Sequence, residues 1–460
     1  MLHQLIIEHV VMPGAESIVS APFYRHYKSL MRSQFLGADE LHHMQTEKFL
    51  PLVKRALKTV PFYREFARRS NCEPDDFRTL EDIKRLPVVT KDTIRGSALE
   101  DWIADDVPRK RWRMNSTSGS TGKPFQFVMD GQLVAVRYGR YLRANAWAGM
   151  PPGAPCLRIW GLKPWYQRIG MFLVLNLRTL SAFDMTDAQM ERYVRYLRTH
   201  KIPGIEAYAS GAVTLAKYIL RRGYDDVHVP LVATAGETSF LDQRRLIEQA
   251  FHCRVLSRYG CREFGLMAQQ CPEQKGLHIN QESFVLEFLD TDQPWVDGIS
   301  SKRIVITNLD NQTMPFLRYQ IGDLGLPLEG SCPCGRQLPL MDHPEGRVVD
   351  YLQTPEGKTV SVHFFTLLFG GYTHAVREFQ IRQKDAGEIT VRLVPAQGWR
   401  PDMLSEMEQK IRRHLGRGVR LTFDVVQEIP LDASGKRKIL VNEMALGATA
   451  GSELSHGAHR

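Results

Sequence analysis

Ser116-Thr117-Ser118-Gly119-Ser120-Thr121-Gly122-Lys123-Pro124 is the stretch on which the reading of this chain turns. Its hydroxyls and backbone N–H groups can surround a phosphate closely. Glycine admits backbone conformations and approach distances closed to other residues. The spacing is not that of a Walker loop, which needs a longer spacer before its Gly-Lys and then Ser or Thr for magnesium. Here Pro124 follows the lysine. Taken alone, the run also reads as a flexible Ser/Gly loop.

Outward from that loop the patterns change along the chain. The first hundred residues read as mainly helical. Residues 40–58 set Leu41, Met44, Phe49, Leu52, Val53 and Leu57 near helical spacing. Pro51 is expected to break or kink that run, and Pro61 to end it. Thr186 and Gln189 form a capping box for a helix over 186–199, with an apolar stripe of Met190, Tyr193, Val194 and Leu197. A second helix covers 211–222 and stops at Gly223. Short β-rich runs recur at 229–234, 253–258, 284–289 and 303–308. Helix and strand in alternation predict an α/β architecture. After Gly346-Arg347, strand-like stretches surround one helix near 402–415, which predicts a small α+β module. The boundary falls near Val349–Asp350. That gives a large domain over 1–349 with its helical part over 1–100, a small domain over 350–445, and a disordered tail over 446–460.

Further motifs follow the loop in order. They are Thr234-Ala235-Gly236-Glu237-Thr238, Tyr259-Gly260-Cys261-Arg262-Glu263-Phe264-Gly265, Arg318-Tyr319-Gln320-Ile321-Gly322-Asp323, Gly346-Arg347 and Ser434-Gly435-Lys436. Each is weak alone, and the set in this order is specific. With it, the chain resembles the adenylate-forming superfamily of acyl-CoA synthetases, luciferases and peptide-synthetase adenylation domains. Within that superfamily it looks most like the phenylacetate–CoA ligase-like branch, from about residue 40 to 442.

The resemblance implies a large adenylate-forming domain of β-sheets and packed helices carrying a small C-terminal lid. It also implies roles. Residues Ser116, Thr117, Ser118, Gly119, Ser120, Thr121, Gly122 and Lys123 would hold the ATP β- and γ-phosphates. Gly236 and Glu237 would flank the adenine, Tyr259 would stack on it, Gly260 would line the nucleotide beside it, and Glu263 would bind magnesium. Asp323 would accept from both ribose hydroxyls. Arg318 and Arg347 would sit near the nucleotide and the hinge, and Lys436 would reach the carboxylate and α-phosphate from the lid. Two departures stand out. Val349 replaces the first Asp of the usual hinge sequence, and Lys438 rivals Lys436.

The chemistry agrees with those roles. Attack of a carboxylate on ATP brings two anions together, so cations and positioned donors are required. The acid pocket is expected around Tyr208, Ser210, Ala235 and Cys261, with the aromatic segment 160–166 at its border. Its small residues leave room for an aromatic or bulky acid. The acceptor is expected to be the thiol of CoA. An adenylyltransferase or amide-forming ligase, passing to an amine, would share every ATP residue. A non-catalytic nucleotide- or nucleic-acid-binding protein is the remaining alternative.

Cys332-Pro333-Cys334-Gly335 is a tight knuckle, and Cys271 and His278 lie upstream. Two close thiolates with a further Cys and His satisfy a tetrahedral zinc site. The same pattern recurs in the resembled branch. A structural zinc ion is therefore expected on Cys271, His278, Cys332 and Cys334.

Composition bounds the rest. The 460 residues are 43% hydrophobic and 24% charged, a soluble globular balance, with seven cysteines and no sign of a disulfide framework. The net charge of +9 is spread along the chain, which suits polyanionic small ligands more than nucleic acid. No apolar run reaches the roughly 20 residues of a membrane span. A cytoplasmic enzyme, able to form a homodimer, is expected.

Overall fold

The computed structural model describes residues 2–19, 21–117, 125–236, 239, 241–290, 302–344, 351–356, 359–361, 364–365, 368–369, 371–372, 374–416, 418–429 and 440–442. Two compact units divide the chain. Met1–Asn115, Gln126–Leu180 and Val194–Arg347 make the first, and Ser116–Phe125, Ser181–Tyr193 and Val348–Arg460 make the second.

The first unit begins with helices. Helix Ala38–Thr59 buries Leu41, Phe49, Leu52, Val53 and Leu57, as their spacing requires. Pro51 lies inside it and the helix runs through, so of the expected break or kink the break is absent. A proline deletes one backbone N–H and crowds the preceding turn. Here buried side chains on both sides of Pro51 hold the flanking turns in one helix. Pro61 opens the next helix, Pro61–Ser70, at a position where the missing N–H has no partner to lose.

The central sheet has nine strands. Their order is Pro327–Leu328, Leu340–Met341, Leu277–Ile279, Gly265–Gln270, Arg254–Cys261, Leu231–Thr234, Gly204–Ala207, Cys156–Trp160 and Leu177–Ser181. From Arg254–Cys261 through Cys156–Trp160 the pairing is parallel. Leu157, Ile205, Ala207, Val232 and Ala233 are buried, as expected of parallel strands covered on both faces. A second sheet runs Val89–Thr90, Tyr319–Gly325, Lys302–Asn308, Phe284–Leu289. In it, the two-residue strand Val89–Thr90 lies parallel to Tyr319-Gln320.

Buried ion pairs tie these layers together. Arg143 is fully buried and grips both oxygens of Glu282, which also accepts from Ser33 at 2.7 Å. Asp310 takes Lys48 at 3.0 Å and the buried Arg140 at 3.2 Å. Burial pushes the Glu282 carboxyl up, but the Arg143 guanidinium outweighs it and holds the group below its ordinary value of 4.5. A depressed folded value means a contribution to stability that is complete above the ordinary value and lost as pH falls through the folded one. Glu282→Gln should therefore cost about 3–5 kcal/mol at neutral pH, the usual result of leaving a buried partner charge unpaired. Urea unfolding should also show a flatter loss of stability below pH ~4.5 than in the parent protein. Unchanged stability at neutral pH would contradict this account.

The second unit has a four-stranded sheet ordered Arg420–Val425, Glu388–Pro395, Val376–Asp385, Leu440–Asn442. Helix Met403–Leu415 buries Met407, Ile411 and Leu415 in a core with Ile381, Ile389, Val391 and Leu393. Phe183 joins that core, 5.7 Å from Phe364.

Candidate active site

The carboxyl ends of adjacent parallel strands are where open α/β sheets bind ligands. Here those ends carry Trp160, Ala207-Tyr208, Thr234-Ala235-Gly236 and Tyr259-Gly260-Cys261. The Trp160 and Tyr208 rings stack at 3.7 Å. Gly236 has φ +79°, and a side chain there would come within 2.9 Å of the Tyr208 ring. Glycine is thus required on conformation and on space. The Ala235 N–H donates to the Ala207 carbonyl at 2.9 Å, locking the turn to the neighbouring strand end. Ser210 is buried in the first turn of helix Ala209–Arg222.

Tyr259 donates its phenolic O–H to the Asp323 carboxylate at 2.9 Å. The expected adenine and ribose partners are therefore brought together across two sheets. Gly260 sits where a Cβ would fall 2.4 Å from the Gly265 carbonyl oxygen.

Glu263 is 1% exposed. It accepts from Tyr319 at 3.3 Å and faces the Lys91 ammonium at 3.2 Å. Burial raises its pKa, but Lys91, its own backbone N–H and the Cys261 thiol outweigh that and hold it below the ordinary value. It is thus an ionised, acceptor-only carboxylate in a dry setting, as a hard cation requires. Burial, with the Glu263 charge beside it, pushes the Cys261 thiol well up. A neutral thiol of this kind is a wall and a donor, not a nucleophile.

No sequence motif singles out Lys91. It follows Thr90, which caps helix Lys91–Arg95 by accepting from the Thr93 N–H. Nothing in Val-Val-Thr-Lys-Asp marks the lysine; the parallel pairing of Val89–Thr90 with Tyr319-Gln320 delivers it.

Arg318 is held firmly. Its guanidinium makes two bonds to Glu287, at 3.0 and 2.9 Å, and donates to the Leu86 carbonyl at 2.8 Å. Its backbone has φ +46°, in the left-handed region that non-glycine residues rarely occupy. These bonds anchor the strand that carries Asp323.

Residues 118–124, Glu237, Arg347 and Lys436 lie outside the described residues, so Ser118, Gly119, Ser120, Thr121, Gly122 and Lys123 have no described geometry. The strands flanking the first gap, Arg113–Thr117 and Phe125–Met129, pair in a two-stranded sheet. Ser116 and Thr117 lie on the first of these strands.

A separate cluster gathers Cys271, His278, Cys332 and Cys334, whose ligand atoms all lie within 4.8 Å of one another. Cys271 and Cys332 sulfurs are 3.5 Å apart, and Cys334 Sγ lies 3.4 Å from His278 Nε2. Zinc–sulfur bonds of about 2.3 Å give tetrahedral edges of about 3.7 Å, close to these spacings. The other ring nitrogen, His278 Nδ1, is 3.4 Å from the Leu338 carbonyl, the kind of partner that fixes a ligating imidazole. Burial pulls His278 down to about 4, so the ring is neutral and can donate a lone pair. The donor set fits zinc.

Known proteins resemble this chain in both sequence and fold. Residues 352–443 match the family model of the CapK C-terminal domain. The phenylacetate-coenzyme A ligase of Thermus thermophilus is 28% identical over 325 residues, 69% of this chain and 72% of that protein. Protein CapK of Staphylococcus aureus is 24% identical over 434 residues, 92% of this chain and 93% of that protein. A solved 2-hydroxyisobutyryl-CoA ligase, in its postadenylation state with 2-HIB-AMP, superposes with a TM-score of 0.60 at 19% identity, covering 92% of this chain and 94% of that one. That last likeness is one of fold. Ordered motifs, strand-end geometry and these likenesses converge, and together they support a phenylacetate–CoA ligase-like adenylate-forming enzyme.

Proposed function

We propose that this enzyme activates a carboxylic acid with ATP, releasing pyrophosphate, and passes the acyl group from the adenylate to the thiol of CoA. One observation carries the reading. At the ends of the parallel strands, a Tyr259–Asp323 pair suited to a nucleoside adjoins a buried ionised carboxylate, Glu263.

In this reading the Tyr259 ring covers the adenine and Asp323 accepts from the ribose. The loop 116–124 holds the terminal phosphates. Arg318 acts by positioning the Asp323 strand through Glu287. Trp160, Tyr208, Ser210, Ala235 and Cys261 border the acid, and the stacked Trp160–Tyr208 pair supports an aromatic or bulky one. Magnesium, when bound at Glu263, supplies charge neutralisation on the phosphates. Lys436 and Arg347, which lie outside the described residues, would supply further cations to the attacked phosphate, as the motif resemblance implies. A structural zinc ion on Cys271, His278, Cys332 and Cys334 braces the sheet edge.

The test is ATP–pyrophosphate exchange with a panel of carboxylic acids, repeated with Lys436→Ala. Acid-dependent exchange should fall about 100-fold in the variant, the usual loss for one positioned transition-state donor. Acid-dependent AMP release should then require CoA. Release that proceeds equally with an amine and without CoA would transfer the second step to amide formation. No exchange and no ATP binding would remove the reading altogether.

A further inference from the structure

The strand Cys156–Trp160 leaves the candidate acid pocket and runs directly into helix Trp165–Leu175. Every residue from Leu162 to Gly170 is exposed. Along the helix, Trp165, Tyr166, Ile169, Phe172 and Leu173 are exposed large apolar residues, Trp165 at 71% and Leu173 at 58%. Their spacing is that of one helical stripe. The opposite face is anchored, because Met171, Val174 and Leu175 pack into a core with Ile7 and Met12 of the N-terminal helices. Those helices add exposed Leu5, Ile6 and Val10. A contiguous apolar face of this kind marks an interaction surface.

Charge identifies the partner. From Gly131 to Phe183 the sequence contains no Asp or Glu. Within this stretch Arg168 and Arg178 are exposed beside the stripe, and Arg178 lies 5.7 Å over the Phe172 ring. On the adjoining N-terminal helix Glu8 is half-buried and accepts from Tyr24. A two-fold contact through this face would set the same cations against themselves with no acid to receive them. An anionic lipid surface satisfies both features. Trp and Tyr suit the headgroup boundary, the aliphatic residues suit the acyl boundary, and the cations suit the lipid phosphates.

We propose that helix Trp165–Leu175 is an interfacial anchor that docks the enzyme on an anionic membrane surface. No described helix is long and apolar enough to cross a membrane, so the contact is peripheral. It would bring the end of strand Cys156–Trp160 close to the lipid headgroups, where amphipathic acids concentrate. The proposal stands whether or not the acyl-transfer reading does.

The test is co-sedimentation of the full chain with phosphatidylcholine vesicles, with and without phosphatidylglycerol, at low and physiological salt. Binding should require phosphatidylglycerol and weaken with salt. The double variant Ile169→Ser, Leu173→Ser should reduce it at least tenfold with an unchanged melting temperature, since both side chains are already in water. Arg168→Gln should reduce it roughly fivefold, the share of one basic residue at an anionic surface. No binding to phosphatidylglycerol vesicles would overturn the proposal, as would full retention by the double variant. A dimer in sedimentation velocity that the double variant abolishes, with no vesicle binding, would assign the face to a second copy instead.

Discussion

Glu263→Gln is expected to lower acid-dependent ATP–pyrophosphate exchange about 1000-fold, because a catalytic metal supplies several kcal/mol of charge stabilisation to the transition state. The substitution keeps shape and removes charge. It also strands the Lys91 ammonium, 3.2 Å away, beside a neutral amide. Two effects therefore mix, loss of a cation ligand and loss of a counter-charge. The second variant separates them. Lys91→Met keeps an apolar stem and removes the stranded charge, so Glu263→Gln with Lys91→Met should regain most of the stability lost in the single variant. Exchange should stay low in both. If the double variant recovers exchange along with stability, Glu263 serves only to neutralise Lys91, and the magnesium assignment fails.

The other large effect concerns a site whose chemistry is separate from that of the nucleotide. The purified enzyme is expected to carry about one equivalent of zinc, and Cys332→Ser to lose it. The free energy of structural zinc binding is folding free energy, on the order of 10 kcal/mol or more in small zinc domains. Retaining half of that here would make the cost about 5 kcal/mol, at the extreme of single-substitution effects. Elemental analysis and denaturant unfolding read the two quantities independently. Cys253→Ser is the control, since its thiol is half-buried outside the cluster, with its sulfur 3.7 Å from the Ile247 carbonyl oxygen. Less than about one-tenth equivalent of zinc in the parent protein, with equal stability in both serine variants, would leave the cluster as four packed side chains.

Much of the fold was legible because periodicity and punctuation report local energetics. The helix ending at Arg222 stops at Gly223, whose φ of +69° is the left-handed cap that glycine supplies. The cysteine and histidine cluster was legible as a ligand set, since thiols and imidazole have few other reasons to keep such spacing. Pro51 does not break its helix because a proline states only a local cost, and tertiary burial around it is greater. Lys91 and Glu287 were illegible for a different reason. Each gains meaning from a partner far away in sequence, Glu263 for one and Arg318 for the other. No local pattern records which strand will lie beside which. The carboxylates themselves could be read, but not what would neutralise them.

The two-residue strand Val89–Thr90 has a practical consequence for dissecting the enzyme. A trimmed chain beginning near residue 100 keeps every chemistry-bearing motif quoted from the sequence and so resembles a minimal catalytic core. It would lack the edge that pairs with Tyr319-Gln320 and the ammonium that faces Glu263. The amino-terminal segment therefore works as an inserted key rather than a removable preface, and expression boundaries should be drawn outside it.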